Sequence, residues 1–464
     1  MNNTIVSRKE LAQLRDWYSR PQRKPLVLRG ARQVGKSTLV RELARSAEVE
    51  LYEINLERHL ELDRAFSTFD IKKILLELEG VLEKKINATG SLLFLDEIQA
   101  TPHGLAALRY FYEETKLAVV AAGSLLEFAL GSKGISMPVG RVEYFYLGPL
   151  SFEDFLVSLG ETYLLDLIRT VSSPGDLSET AHNKLSELYK EYLIVGGLPE
   201  AVVTYAKDRD FAAIRRVHAS ISETYQDDFI KYGSNERLPL MQRLFRQIPR
   251  DVGNKVKYSK LAPEYPAAAT RQALELLIKA GVFVTCYHSD CGGVPIGTQI
   301  DTRVYKLLAL DVGLMNHICG LEWHDVSAMS AIQLVNSGGL AEQFIGQHLL
   351  YDGPSDTRPE LCYWLREGRK GNAEVDYVVQ FGSQILPVEV KAGKSGSLKS
   401  LFQFVSQRNS ERALRFDLNP PSRQIVEHVD YKENSNKITF ELISLPLYMV
   451  DQLKRWMTEA KPAQ

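Results

Sequence analysis

Apolar residues in the first third of the chain fall into short runs, separated by segments in which they recur every three or four positions. Uninterrupted runs occupy 25–28, 92–95 and 117–122, whereas 71–82 shows the three-to-four-residue period. Short apolar runs are typical of buried parallel strands, and the longer period is typical of helices with one buried face. The alternation predicts an α/β domain in which helices cover both faces of a parallel sheet.

The pattern changes after residue 150. Ser151 precedes an apolar and acidic stretch, which predicts a capped helix and opens a helical lid or connector. From 236 to 325 the pattern predicts short helices followed by a hairpin, which is the layout of a winged helix. DNA contact is one hypothesis for this segment, and an interdomain or dimerisation module is the other. The second helix, 269–280, carries few basic residues, which favours the second hypothesis.

The last third of the chain, 326–464, contains two valine-rich strand candidates joined by a turn at 382–383. Side chains alternate along a strand, so Glu389 and Lys391 project from one face and the neighbouring valines from the other. If Asp376 on the preceding strand shares the charged face, two carboxylates and a lysine converge. Valines on both strands indicate that the hairpin is interior, where unpaired charges are costly.

Composition excludes several classes of protein. The chain has 464 residues with 25% charged and 45% hydrophobic residues, and its net charge of −2 provides no overall attraction to nucleic acid. We find no apolar run long enough to span a bilayer and no apolar N-terminal signal, so we expect a cytoplasmic protein with no membrane partner. The cysteines are too few and too irregularly spaced for a disulfide framework or a four-thiolate zinc site: Cys286, Cys291, Cys319 and Cys362.

The segment from Gly30 to Ser37 matches the phosphate-loop pattern G-x-x-x-x-G-K-[ST] and lies between a predicted strand and a predicted helix. Lys36 would neutralise the β- and γ-phosphates of ATP, and the Ser37 hydroxyl would ligate Mg²⁺. We therefore predict ATP and Mg²⁺ as cofactors. The predicted nucleotide-binding residues are Gly30, Ala31, Arg32, Gln33, Val34, Gly35, Lys36, Ser37 and Thr38.

Two acids follow the apolar run at 92–95. A buried parallel strand delivers the residues at its end to the carboxyl edge of the sheet, where phosphate loops also lie. Asp96 would hold the Mg²⁺ shell, and Glu97 would polarise the attacking water.

Four blocks together resemble the AAA-type ATPases of a prokaryotic family whose C-terminal half has no assigned function: GARQVGKST, LLFLDEIQ, AAGSLLE and GRVEYFYLGPLSFEDF. The resemblance covers essentially the whole chain, including the block YLIVGGLPE at 192–200. It implies that Ser124 senses the γ-phosphate from a strand end. It also makes Arg141 a catalytic finger or sensor, the alternative being a surface arginine that opens a strand.

The C-terminal hairpin resembles the core of PD-(D/E)XK nucleases. The resemblance places Asp376, Glu389 and Lys391 in the motif positions, and Glu342 on the preceding helix as the earlier acid. It implies a second Mg²⁺ or Mn²⁺ held by Glu342, Asp376 and Glu389, with Lys391 assisting the nucleophile. A soluble sheet edge is the alternative explanation of the Glu-Lys pair, and a nuclease-like core can also persist as a binding module.

Two functions follow as hypotheses. The first is an ATPase that couples nucleotide turnover to the processing of DNA or another nucleic acid through a nuclease-like domain. The second is a nucleotide-dependent switch whose C-terminal half binds a partner without cleavage. We expect a homo-oligomer, because an arginine at position 141 would be most useful in a neighbour's site. The predicted domains are 1–150 (ATPase core), 151–235 (helical lid), 236–325 (winged-helix-like) and 326–464 (nuclease-like).

Overall fold

The chain divides into two compact units. The first comprises Met1–Pro149, Glu275–Val282 and Gly353–Pro359, and the second comprises Leu150–Leu274, Phe283–Asp352 and Glu360–Gln464. The computed structural model describes residues 8–124, 126–129, 137–232, 236–328, 338–368, 372–393, 398–430 and 436–458.

The first unit is built on a parallel sheet with the strand order β2-β3-β4-β1-β5. The strands are β1 (Leu26–Arg29), β2 (Glu50–Asn55), β3 (Ser91–Asp96), β4 (Ala118–Ala122) and β5 (Glu143–Tyr146). The helices of the same part of the chain are α1 (Glu10–Ser19), α2 (Lys36–Ser46), α3 (Asp63–Phe66), α4 (Ile71–Leu82), α5 (Pro102–Glu114) and α6 (Leu126–Ala129).

The central strands of this sheet are buried on both faces. All five residues of β4 are buried, as are the first five of β3, which is why neither strand shows an alternation of polar and apolar residues. The predicted α/β class with a parallel sheet is therefore confirmed. Because parallel strands end at the same edge, the residues after β1, β3 and β4 lie close together.

The second unit contains a mixed sheet with the order β12-β13-β11-β10-β9-β8-β6-β7. Its strands are β6 (Phe283–Ser289), β7 (Ile300–Ala309), β8 (Leu361–Arg366), β9 (Ala373–Phe381), β10 (Gln384–Val390), β11 (Arg412–Asp417), β12 (Ser422–Asp430) and β13 (Asn436–Pro446).

Helices dominate the chain between the two sheets and also cover the second one. The first of them, α7, begins with a capping box in which Ser151 and Asp154 exchange side-chain to backbone hydrogen bonds, as predicted for Ser151. The helices are α7 (Phe152–Ser158), α8 (Thr162–Thr170), α9 (Glu179–Val195), α10 (Pro199–Asp208), α11 (Phe211–Tyr232), α12 (Leu238–Gln247), α13 (Tyr258–Leu261), α14 (Ala267–Lys279), α15 (Val312–Cys319), α16 (Trp323–Ala328), α17 (Gly338–Leu350), α18 (Lys399–Arg408) and α19 (Leu453–Thr458).

Helices α13 and α14 are followed by the antiparallel hairpin β6–β7, and the winged-helix assignment of this segment remains a prediction. The hairpin does not stand alone, however, because β6 also pairs in parallel with β8. That pairing satisfies the backbone groups on the outer edge of β6. The predicted boundary between residues 325 and 326 therefore lies inside the second unit, and the four-domain division remains a prediction.

Two adjacent glycines explain the block YLIVGGLPE within the second unit. The Gly197 N–H donates to Asp311 Oδ2 at 2.6 Å, and the Leu314 N–H donates to Asp311 Oδ1 at 2.9 Å. A Cβ added at Gly196 would lie 2.1 Å from Asp311 Oδ1, and one at Gly197 would lie 2.1 Å from the Leu150 carbonyl oxygen. The glycines thus allow the backbone to enclose a buried carboxyl group, and this burial raises the pKa of Asp311 to about 6.

The four cysteines carry free thiols. None of the helices described above is both long and apolar enough to cross a membrane. The cytoplasmic location remains a prediction.

Candidate functional site

The phosphate loop connects the end of β1 to the start of α2. Gly35 caps α2 in the left-handed region (φ 90°) and has no side chain to offer to the first-turn N–H groups of the helix. A Cβ added at Gly30 would lie 2.3 Å from the Leu147 carbonyl oxygen, so that position requires glycine. The loop therefore presents the N-terminus of an 11-residue helix at a sharp turn, an arrangement suited to binding an anion.

Lys36 is buried inside this loop, with 8% of its surface exposed. Its ammonium group donates to the carbonyl oxygens of Gly30 at 2.9 Å and of Ala31 at 2.8 Å. Burial lowers the pKa of Lys36 to about 8, although the charges of Glu97 and Asp96 oppose that effect. The ammonium is thus held at the phosphate loop by weak carbonyl partners.

The other predicted loop residues surround this lysine. Ala31 and Val34 are buried, and Gln33 lies in the left-handed region (φ 65°). The guanidinium charge of Arg32 contributes to the lowered pKa of Lys36. Thr38 lies in the first turn of α2.

Ser37 and Asp96, the two predicted Mg²⁺ ligands of the nucleotide site, are in contact. The Ser37 hydroxyl donates to Asp96 Oδ2 at 2.8 Å. Burial raises the pKa of Asp96. A hydroxyl beside a partly buried carboxylate is an all-oxygen donor set, which fits Mg²⁺.

Glu97 and Ser124 also meet at this edge of the sheet. Glu97 has a left-handed backbone (φ 52°) directly after β3, which turns it away from the strand direction. Its Oε2 accepts hydrogen bonds from the Ser124 N–H at 3.4 Å and from the Ser124 hydroxyl at 3.3 Å. The two residues come from neighbouring strand ends, as the parallel order requires.

Two further residues of this region were missed from the sequence. The Gln99 side-chain amide donates to Glu97 Oε2 at 2.5 Å, and a Cβ added at Gly123 would lie 2.0 Å from Gln99 Oε1. Gly281 (φ 74°) approaches Ala31, since a Cβ there would lie 3.0 Å from the Ala31 Cβ. Gln99 is the last residue of the block LLFLDEIQ, so the family resemblance could have pointed to it. No local pattern marks Gly281.

Arg141 lies elsewhere in the first unit. Its Nε donates to Glu113 Oε1 on α5 at 2.8 Å, and Arg109 binds the same oxygen at 3.0 Å. Nearly half of the Arg141 side-chain surface is exposed. The structure thus assigns Arg141 an exposed ion pair within its own chain, and its role in a neighbour's site remains a prediction.

The second predicted constellation lies in the second unit. Strands β9 and β10 form the predicted antiparallel hairpin. Asp376 Oδ2 accepts the Val390 N–H at 2.7 Å, and Lys391 forms an ion pair with Glu389. The charges of Asp376 and Lys391 both act on the Glu389 carboxyl group, and the roles predicted for the three residues remain predictions.

The fourth predicted residue, Glu342, projects from α17 toward the same acids. Burial, and then the charge of Asp376, raises the pKa of both Glu342 and Glu389 above the ordinary value of a glutamate. The Oε2 atoms of Glu342 and Glu389 are buried and have no hydrogen-bond partner among the described residues. A Cβ added at Gly253 would lie 2.7 Å from Glu342 Oε2, so the backbone closes over this carboxyl group.

A second lysine, not predicted from the sequence, lies among these acids. Lys306 on β7 has 2% of its side chain exposed, forms an ion pair with Glu374, and places its Nζ 3.7 Å from Glu342 Oε2. Across the described part of the chain, no three His, Cys, Asp or Glu side chains are grouped so that they could hold a metal ion. The second divalent site therefore remains a prediction.

Residues 22–156 match the sequence model of the AAA domain family. The first unit thus has the fold of an AAA-type ATPase. Residues 186–325 and 337–448 match two further families, described as Domain of unknown function (DUF8612) and Domain of unknown function (DUF4143). The uncharacterized protein MJ1637 of Methanocaldococcus jannaschii is 24% identical over 407 residues, which cover 83% of this chain and 79% of that protein.

Similar solved structures have low sequence identity and low TM-scores. The Aeropyrum pernix ORC2 protein aligns with 69% of this chain and 93% of its own at 14% identity, with a TM-score of 0.33. The Aeropyrum pernix ORC1 protein in complex with DNA covers 68% and 93% at 13% identity, with a TM-score of 0.28. The Thermotoga maritima RuvB Holliday junction branch migration motor covers 60% and 89% at 12% identity, with a TM-score of 0.27.

Proposed function

We propose that this chain binds and hydrolyses ATP at the phosphate loop and acts as a nucleotide-dependent switch. The observation that carries the proposal is the pair of contacts at the carboxyl edge of the first sheet. Ser37 meets Asp96 there, and Glu97 meets Ser124. A phosphate loop, a cation-binding pair and a carboxylate next to a strand end are the groups that phosphoryl transfer to water requires.

The phosphate-binding role rests on Lys36 and the start of α2. The Lys36 ammonium donates to two loop carbonyl oxygens, which are neutral partners. Phosphate oxygens carry negative charge and form stronger, charge-assisted bonds. ATP binding would therefore draw the ammonium toward the β- and γ-phosphates, and the first-turn N–H groups of α2 would bind the same anion.

Ser37 and Asp96 would hold Mg²⁺, which when bound neutralises charge on the phosphate oxygens. Their 2.8 Å contact supports this role, because it places a hydroxyl oxygen next to a carboxylate oxygen.

Glu97 would orient the attacking water. Its Oε2 is held by Ser124 on one side and by Gln99 on the other. Such partners fix the carboxylate direction before substrate binds, and preorganisation of this kind lowers the barrier to the chemical step. Ser124 would in addition report the presence of the γ-phosphate, as the family resemblance implies.

The test separates binding from turnover. Lys36→Ala should lose ATP binding, whereas Glu97→Gln should bind ATP and turn it over roughly 100-fold more slowly. ATP affinity measured by calorimetry and phosphate release at saturating ATP would distinguish the two. Equal loss of binding in both variants would contradict these roles.

We further propose that the active form is a homo-oligomer in which Arg141 completes a neighbour's site, as arginine fingers do in other nucleotide hydrolases. Its ion pair with Glu113 is exposed, so the guanidinium is accessible to a second copy. If this holds, adding Arg141→Ala subunits to wild-type chains should lower the ATPase activity by more than the fraction of variant subunits in the mixture. A purely additive loss, with a monomer at all nucleotide states, would exclude it.

Glu342, Glu374, Asp376 and Glu389 form an acidic cluster around Lys306. The switch hypothesis is favoured over nucleic-acid processing because Lys306 already neutralises part of this acidic cluster. Incubating the protein with plasmid DNA and with single-stranded DNA and RNA, in Mg²⁺ and then in Mn²⁺, separates the alternatives. Cleavage that Lys391→Ala abolishes, with ATP hydrolysis kept, would support the processing hypothesis. The absence of cleavage under all conditions would support the switch.

A further inference from the structure

Lys306 is the charged residue that the proposed ATPase function leaves unexplained. It lies on β7 and is followed by the apolar residues Leu307 and Leu308, in a strand whose last four residues are buried. A lysine that is almost completely buried is rare unless opposite charges surround it. Its environment should therefore reveal what the ammonium does.

The partners of Lys306 come from three different elements. Glu374 belongs to β9 and forms a direct ion pair, while Glu342 belongs to α17 and places Oε2 at 3.7 Å. The ammonium also lies 4.9 Å from the centre of the Tyr363 ring on β8. Acid groups and a ring face thus enclose one positive charge, which is the environment expected of a counter-cation.

The lysine and the acids come from different parts of the chain. Glu342 and Glu374 lie within the segment 337–448, which matches one family model, whereas Lys306 lies within 186–325, which matches another. The joint sheet brings them together, because β6 pairs with both β7 and β8. The acids of the C-terminal segment thus obtain a cation from the preceding segment.

An ammonium group and a divalent metal ion compete for the same carboxylate oxygens. Both satisfy buried negative charge, but the ammonium is covalently attached and therefore always present. The backbone at Gly253 also closes over Glu342 Oε2, which limits the room on that side of the carboxyl group.

We propose that Lys306 is the resident cation of this acidic cluster and controls its metal binding. With Lys306 in place the cluster is stable without metal, and removal of the ammonium creates a site for Mn²⁺ or Mg²⁺ between Glu342 and Glu374. The proposal goes beyond ATP hydrolysis, because all of its residues lie in the second unit.

The experiment measures Mn²⁺ binding and thermal unfolding of the full chain without nucleotide. All variants carry Asp96→Asn, so that the nucleotide site contributes no Mn²⁺ signal. The chain with this substitution alone is the parent. Lys306→Met should unfold about 5 °C or more below its parent in EDTA, since two partly buried acids lose a cationic partner. Mn²⁺ should restore most of that loss and bind at least about tenfold more tightly than to the parent, a difference of about 1.4 kcal/mol.

Two controls are matched to this variant. Lys306→Arg retains the positive charge and should behave as the parent does, without a stabilising response to Mn²⁺. Glu342→Gln added to Lys306→Met removes one proposed ligand and should abolish the response to Mn²⁺. Together they distinguish metal coordination from a general effect of the ion on the fold.

The parent provides the decisive contrary result. If it binds Mn²⁺ stoichiometrically, as tightly as Lys306→Met does and with loss of binding in Glu342→Gln, Lys306 is not the resident cation. A folded Lys306→Met variant that neither loses stability nor binds Mn²⁺ would also overturn the proposal. If that variant is insoluble without metal, recovery of folded protein with Mn²⁺ in the buffer supports the proposal. If the Lys306→Met variant is insoluble in both buffers, the parent decides. Mn²⁺ binding by the parent then overturns the proposal, whereas a parent that is stable in EDTA and binds no Mn²⁺ supports the proposal.

Discussion

Each of the two units buries a lysine, and the two lysines have opposite surroundings. Lys36 in the first unit has 8% of its surface exposed and donates to two backbone carbonyl oxygens. Lys306 in the second unit is 2% exposed and faces Glu342 and Glu374. Burial lowers the pKa of Lys36 to about 8. Burial also acts to lower the pKa of Lys306, but the charges of Glu342 and Glu374 outweigh it and raise that pKa above its ordinary value.

The different partners of Lys36 and Lys306 determine whether each lysine can bind a further ligand. An ammonium group held only by carbonyl oxygens gains energy when an anion replaces them, so Lys36 is prepared for a ligand. An ammonium group enclosed by carboxylates already has its counter-charges, so Lys306 is suited to a structural role in which it keeps these partners. Burial of a lysine is therefore common to a binding role and a structural role, and the partners decide between them.

The largest effect comes from removing each charge in turn. Lys36→Met should weaken ATP binding by about 100-fold, because charge-assisted bonds to the phosphates are lost. Lys306→Met should leave ATP affinity within about twofold and lower the unfolding temperature instead. Calorimetric ATP titration and thermal unfolding of both variants would measure this. Comparable losses of ATP affinity would show that the two lysines do not act independently.

A third buried charge extends the comparison, because Asp311 is held by backbone N–H groups. Burial raises the pKa of Asp311 to about 6, above its value in the unfolded chain. As the pH falls, Asp311 is therefore protonated in the folded protein before it is protonated in the unfolded chain. The contribution of Asp311 to stability thus increases as the pH falls through 6.

Between pH 7 and pH 5 the wild type should therefore gain about 1 kcal/mol of unfolding free energy relative to Asp311→Asn. Urea unfolding of the two proteins at both pH values measures the difference. Parallel pH profiles would show that Asp311 keeps its charge in the folded state at pH 5.

A smaller effect should follow from disturbing the groups around Glu97. Gly123→Ala places a methyl group 2.0 Å from Gln99 Oε1, so Gln99 must move and its hydrogen bond to Glu97 should weaken. We expect a several-fold fall in ATP turnover with little change in ATP affinity, since only the direction of Glu97 changes. Steady-state phosphate release and ATP titration would measure both. Gly80→Ala is a matched control, because a Cβ there meets nothing within 4 Å.

The smallest effect concerns Arg141, whose ion pair with Glu113 is exposed. Exposed pairs contribute little to stability, so Arg141→Ala should shift the unfolding temperature of the isolated chain by about 1 °C or less. Differential scanning calorimetry at low nucleotide concentration would check this. A shift of many degrees would assign Arg141 a structural role within its own chain and remove the reason to seek it in a neighbour's site.

The sequence alone determined the phosphate loop and the acids beside it. The phosphate loop is contiguous, and its neighbours Asp96 and Glu97 end an apolar strand, so the rules of parallel sheets were enough to bring them to Lys36 and Ser37. The hairpin that carries Asp376 and Glu389 was also predicted, because the valine pattern and the glycine turn lie within about twenty residues of sequence.

The tertiary structure decided which distant residues join these local groups. Nothing near Lys306 in the sequence indicates that β6 pairs with β8, yet that pairing brings the lysine to Glu342 and Glu374. The approach of Gly281 to Ala31 and the ion pair of Arg141 with Glu113 are likewise contacts between remote segments. Local periodicity specifies which face of a strand is buried, but the choice of neighbouring strand depends on the packing of the whole sheet. That choice placed Lys306 beside two acids of the C-terminal segment.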